Sequence, residues 1–227
     1  MGTEADAAPA DYGVGPVELV KPTLRGVSHL IAFFVALVAG PVLVVQATTS
    51  TARVTSAIYA VTLVALFGCS ALLHRGHWSA RARPWFRRLD HSTIFLFIAG
   101  TYTPVSALSL ATGLAQLVLS AVWIGALAGV AITVFWIDAP RWITAGSYVV
   151  VGWIAVLAIP ALWSALGGGR MALLAGGGAL YTVGAVVYAR KRPDPIPRVF
   201  GYHEVFHALV IAAVICHYAL IVTLVRA

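Results

Sequence analysis

The stretch Gly201-Tyr202-His203-Glu204-Val205-Phe206-His207 sets two histidines four residues apart. On a helix that spacing puts both rings on one face, about one turn apart. Two imidazoles so placed can reach one metal ion. The pair opens an apolar run, Ala208 to Val225, of the kind that lies in lipid. Ionisable groups at such a place are costly to keep and point to function. His74 ends an earlier apolar run with Ser70 one turn before it, and Asp90 opens the next. Three imidazoles, His74, His203 and His207, would form a three-ligand zinc site with the fourth position open to water. Zinc lowers the pKa of such a water to about 7. Asp90 could hydrogen-bond that water as general base, or orient a ligand. Ser70 could orient a histidine or hold an oxyanion. All-nitrogen ligation argues against an iron–sulfur cluster but leaves zinc, iron, nickel and copper open. The remaining histidines carry simpler expectations. His29, His77 and His217 read as hydrogen-bonded headgroup contacts, and His91 as a helix-start residue facing away from Asp90. Glu204 reads as solvated or paired with an arginine.

The elements that must position these residues follow from composition. Of 227 residues, 60% are hydrophobic and 10% charged, with a mean hydropathy of +0.91. A soluble domain of this size has too little surface to hide so much apolar side chain. Apolar runs of about 20 residues recur, the length that crosses a bilayer core. The short alternating segments of a β-barrel do not appear. The fold class is therefore all-α, a polytopic membrane protein built as a seven-transmembrane helix bundle. The expected spans are 27–47, 54–74, 91–111, 115–137, 142–163, 171–189 and 202–225. Residues 1–26 read as a flexible cytoplasmic tail without the basic and apolar regions of a signal peptide, and 27–227 as the membrane domain. Gly125 and Gly129, and the run Gly176 to Gly178, mark candidate close helix contacts. Cys69 and Cys216 fall in apolar runs and suggest no disulfide framework.

The net charge is +7 with a pI near 9.9. In a soluble chain that balance suggests nucleic acid, but here the charges lie in loops, where membrane orientation accounts for them and no nucleic-acid partner is implied. With the N-terminus inside, twelve of the 15 lysines and arginines fall on the inner side and three (Arg53, Arg170, Arg226) outside. The N-terminus is therefore expected in the cytoplasm and the C-terminus outside, which requires an odd number of spans. That topology brings Ser70, His74, Asp90, His203 and His207 to the cytoplasmic end of three spans. The histidines and Asp90 played no part in setting the orientation, so their convergence is a separate indication.

Three motifs then carry a family resemblance. Ser70-Ala-Leu-Leu-His74 looks like an S-x-x-x-H signature. Leu89-Asp90-His91-Ser92-Thr93-Ile94-Phe95, leading into Ala99-Gly100-Thr101-Tyr102-Thr103-Pro104, looks like a span-three signature. The stretch 201–207 looks like an H-x-x-x-H signature in span seven. Together they resemble the bacterial hemolysin III branch of the progestin and adipoQ receptor (PAQR) family. The resemblance implies a zinc ion (Zn2+) on His74, His203 and His207, with Ser70 and Asp90 completing the site. Members are described as hormone receptors, ceramidase-like hydrolases of lipid amides, membrane-fluidity factors and hemolysins. The expectation for this chain is a multi-pass cell-membrane protein partnered by membrane lipids, a metal-dependent lipid amide hydrolase serving lipid homeostasis. The rivals are a pore-forming cytolysin or channel, and a non-enzymatic fluidity sensor with structural zinc.

Overall fold

The computed structural model describes residues 21–227, so the expected tail falls outside the described residues up to residue 20. The described chain is helical, with one isolated bridge between Ile196 and Phe200. The helices are α1 (Val27–Val45), α2 (Ser50–Arg75), α3 (Arg83–Ser109), α4 (Thr112–Phe135), α5 (Arg141–Gly152), α6 (Ile159–Arg190) and α7 (Tyr202–Val225). A 3₁₀ turn, Ile154–Ala158, links α5 to α6. Sequential neighbours pack as pairs, α1 on α2, α2 on α3, α3 on α4 and α6 on α7. Helix α7 also reaches α1, α2 and α3, and α3 reaches α5, α6 and α7 besides its sequential neighbours.

Outward faces are apolar. On α1, Ile31, Phe34, Val35, Val38, Val42 and Val45 are exposed, while His29, Ala36, Gly40 and Leu43 are buried. A helix with its apolar stripe outward and a histidine inward is built for a hydrocarbon solvent. Six helical stretches of the described residues have the length and composition to cross a membrane: α1 to α4, the run Arg141–Arg190, and α7. The chain is a polytopic helical membrane protein.

Three differences from the expected spans bear on the site. Helix α2 starts four residues early, because Thr49 caps it by accepting from Ala52 N at 3.1 Å. Helix α3 starts at Arg83 rather than His91, with Pro84 in its first turn. Asp90 and His91 therefore sit about two turns inside the helix, not at its mouth. The expected fifth span is not one continuous helix. The Tyr102 hydroxyl donates to Gly152 O at 2.6 Å and accepts from Ala155 N at 2.7 Å, so it enters the backbone ladder where α5 ends. Pro160 then opens α6. The run Arg141–Arg190 is 50 residues long. A straight helix of that length would measure about 75 Å, more than twice a bilayer core. It breaks at Gly167, with φ 69 and ψ 174, and residues on either side of the break meet where Trp153 Nε1 donates to Thr182 Oγ1 at 3.0 Å.

Two of the expected glycine contacts are close ones. A Cβ at Gly129 would overlap the Phe95 ring, and one at Gly177 would overlap His217. Gly176 and Gly178 face open space. Gly100 also packs directly on Thr62 of α2. Gly100→Ala should lower the thermal stability of the purified protein by about 1–3 kcal/mol through overpacking. Gly146→Ala, with nothing near its Cβ position, should leave the melting temperature unchanged.

Candidate metal centre

The last turn of α2 presents His74, and the first two turns of α7 present His203 and His207. Helix α7 starts where it does because Glu204 closes its first turn, its Oε2 accepting from Gly201 N at 2.9 Å. Asp194 adds a second anchor, accepting from Tyr202 N at 2.7 Å. Glu204 is only 2% exposed, and its other oxygen takes a hydrogen bond from Arg25 Nε at 2.5 Å. Of the two expectations for Glu204, arginine pairing is what forms.

The start of the described chain is pinned to the same corner. Thr23 N donates to Arg198 O at 3.0 Å and Leu24 N to Val199 O at 3.1 Å. Residues 21–26, expected as the end of a flexible tail, are instead paired with the α6–α7 loop. Gly26 adopts φ 77, and a Cβ there would lie 2.5 Å from the Cβ of His74. Only glycine meets both conditions without strain. The mouth is basic. Burial, and then Arg75, Arg25 and Arg83, hold the Lys21 ammonium below its ordinary pKa.

His74, His203 and His207 each offer one ligand atom, and these atoms lie within 4.8 Å of one another. His74 Nε2 and His203 Nε2 are 3.1 Å apart. Two nitrogens at ordinary zinc–nitrogen distances in a tetrahedron stand about 3.4 Å apart. The observed gap therefore fits one ion between them as well as an N–H···N hydrogen bond. His207 Nδ1 is buried and has no hydrogen-bond partner among the described residues, a costly state for a polar atom. The donor set, neutral imidazoles without thiolate, could hold zinc or another borderline divalent metal.

Asp90 Oδ2 lies 4.0 Å from His74 Nε2, beyond hydrogen-bond range but next to the cluster. It does not pair with its neighbouring arginines. Arg87 goes to Asp138 and Ile137 O, and Arg88 to Val134 O. Ser70 is buried and shares a cavity wall with Asp90, His203 and His207. This partly open cavity runs between mostly apolar walls and extends to Trp153, Tyr181 and His217. A second hollow continues past Tyr102, Trp153 and His217 towards Leu110 and Met171.

The other histidines depart from expectation, His77 excepted, which is exposed in the α2–α3 loop. His217 is no headgroup contact. It is buried on α7, with Nε2 at 3.1 Å from Leu174 O. His91 lines the main cavity rather than starting a helix. His29 is no headgroup contact either. It is 3% exposed, its Nδ1 is 2.8 Å from Ser70 Oγ, and its ring stacks on His207 at 3.6 Å and 10°. Sequence reasoning missed it because a lone histidine on α1 has no local partner, and Ser70 lies 41 residues away. Its helical register opposite the outward apolar stripe of α1 was the one available signal.

Comparison with known proteins gives the family. The family model of haemolysin-III related proteins matches residues 17–218. The chain belongs to the haemolysin-III related family. The hemolysin-3 of Bacillus cereus is 34% identical over 169 residues, covering 72% of this chain and 76% of the relative. The hemolysin-3 homolog of Bacillus subtilis (strain 168) is 32% identical over 154 residues, covering 68% and 69%. The haemolysin-III related chain described here is thus a multi-pass protein of the cell membrane, and the PAQR resemblance of its motifs holds.

Arg25→Ala should strand the buried Glu204 carboxylate and lower thermal stability by about 3 kcal/mol. Adding Glu204→Gln should recover most of that loss in the same melting experiment.

Proposed function

We propose that this haemolysin-III related protein is a seven-span, metal-dependent hydrolase of lipid amides, acting in membrane lipid homeostasis. The observation that carries the reading is the cluster itself. Three imidazole donors lie within 4.8 Å of one another, two of them (His203 and His207) share a cavity wall with the Asp90 carboxylate and the Ser70 hydroxyl, and the third, His74, stands 4.0 Å from Asp90. Such a grouping suits hydrolysis at an acyl carbon, and the apolar walls suit an acyl chain.

The seven-span reading treats Arg141–Arg190 as two spans meeting at Gly167, supported by the break there and the Trp153–Thr182 contact. The twelve-to-three distribution of basic residues then argues for a cytoplasmic N-terminus, an outer C-terminus and a site near the cytoplasmic face.

His74, His203 and His207 would hold zinc. When bound, zinc supplies Lewis acidity and a more acidic water. The chain's own groups do the rest. Asp90 is placed to accept a proton beside the cluster and return it to the leaving amine. Ser70 Oγ can donate to oxyanion charge. The cavity walls hold the acyl chain and keep bulk water from the reacting carbonyl.

The test is metal analysis and turnover of ceramide-type amides by protein reconstituted in liposomes. His207→Ala should lose both metal and turnover. Asp90→Asn should keep metal and lose turnover by about 100-fold or more. Full turnover by a metal-free variant lacking all three histidines would sink the proposal. A pore is the rival that the relatives' hemolysin names favour. It predicts dye release from the same liposomes that survives metal removal. A fluidity sensor with structural zinc predicts a lower melting temperature on metal removal and no turnover at all.

A further inference from the structure

His29 stands outside both the motifs and the ligand set, yet it touches more of the site than packing needs. Its ring meets Phe67 edge-on at 5.0 Å, stacks flat on His207 at 3.6 Å, and bonds Ser70 Oγ through Nδ1 at 2.8 Å. Its Nε2 is buried, and among the described residues no hydrogen-bond partner meets it. If the position served packing alone, phenylalanine would fill it and spare the desolvation of that nitrogen. Ser70 in turn lies beside the Asp90 carboxyl group. Asp90 stands 4.0 Å from His74, and His74 stands 3.1 Å from His203. These neighbours line up in a chain. It runs from His207 on α7 through His29 on α1 and Ser70 on α2 to Asp90 on α3, which stands beside His74 and, through it, His203. His29 is the only member supplied by α1, and it joins the deeper α7 histidine to the hydroxyl of α2.

We infer that His29 is a positioning residue for the metal centre, fixing the His207 ring by stacking while its Nδ1 fixes Ser70. This rests on the reading of His74, His203 and His207 as metal ligands. Stacking limits the tilt of the His207 ring, and the Ser70 bond holds His29 in the plane that allows the stack. Both contacts are needed, because a residue that makes only one cannot join α1 and α2 to the α7 ligand.

The test measures zinc affinity of purified protein by competition with a chelating dye, so that it does not depend on turnover. His29→Phe keeps the stack and the Phe67 contact but loses the Ser70 bond. His29→Gln can keep a bond to Ser70 but loses the stack. Each should weaken zinc binding by about 10- to 100-fold, the usual effect of removing a partner that orients a ligand. Ser70→Ala should weaken it similarly. Combined with His29→Phe it should cost little more, because the two residues act as one unit. Zinc binding at wild-type affinity in His29→Phe would overturn the inference and leave a packing role. Fully additive losses in the double variant would also overturn it. Should His29→Phe fail to fold, His29→Gln and Ser70→Ala decide the matter by the same criterion. Wild-type protein that binds no zinc would overturn the metal reading itself, and this inference with it. The two failures are thus distinguishable.

Discussion

Polar groups inside hydrocarbon have no water to turn to, and this constraint dictates how the bundle is assembled. Several threonine hydroxyls that enter the core bond back to their own helix. Thr62 bonds Ile58 O, Thr101 bonds Phe97 O and Thr103 bonds Ala99 O. The ionisable groups have no such local solution and meet one another instead. His29 finds Ser70, His74 finds His203, and Glu204 finds Arg25. Each of these pairs crosses between helices or ties a loop to a helix, so satisfying polarity also fixes which helices are neighbours. Helix α7 carries four buried ionisable groups, His203, Glu204, His207 and His217, and it packs against α1, α2, α3 and α6.

The same constraint explains what the sequence made legible. Apolar length and the three motifs express short-range patterns, and they located the helices and the three clustered histidines. What stayed hidden depends on tertiary contact. The roles of His29 and Arg25 depend on Ser70 and Glu204, distant in sequence, and no local spacing encodes either pairing. Helix α3 extends to Arg83 through a basic, amphipathic turn that hydropathy alone counts as loop. The early start matters for function, since it places Asp90 within the bundle rather than at the headgroups.

The break at the end of α5 belongs to the same class. Gly152 and Pro160 are visible punctuation, but the hydroxyl that stabilises the open turn comes from Tyr102 on α3. That turn borders both hollows, with Gly152 and Trp153 in each wall. The irregular backbone thus lies where it lines an interior space, the place where a membrane bundle tolerates it.

Gly26 gives the site a boundary that chemistry would not draw. It has no side chain and precedes the first helix, yet it rests on the Cβ of His74 in a left-handed conformation. The tolerance of the histidine cluster to change is therefore set as tightly by an atom that is missing as by the imidazoles that are present. A map of sensitive positions on this protein would begin ahead of α1, at a residue whose whole contribution is the room it leaves.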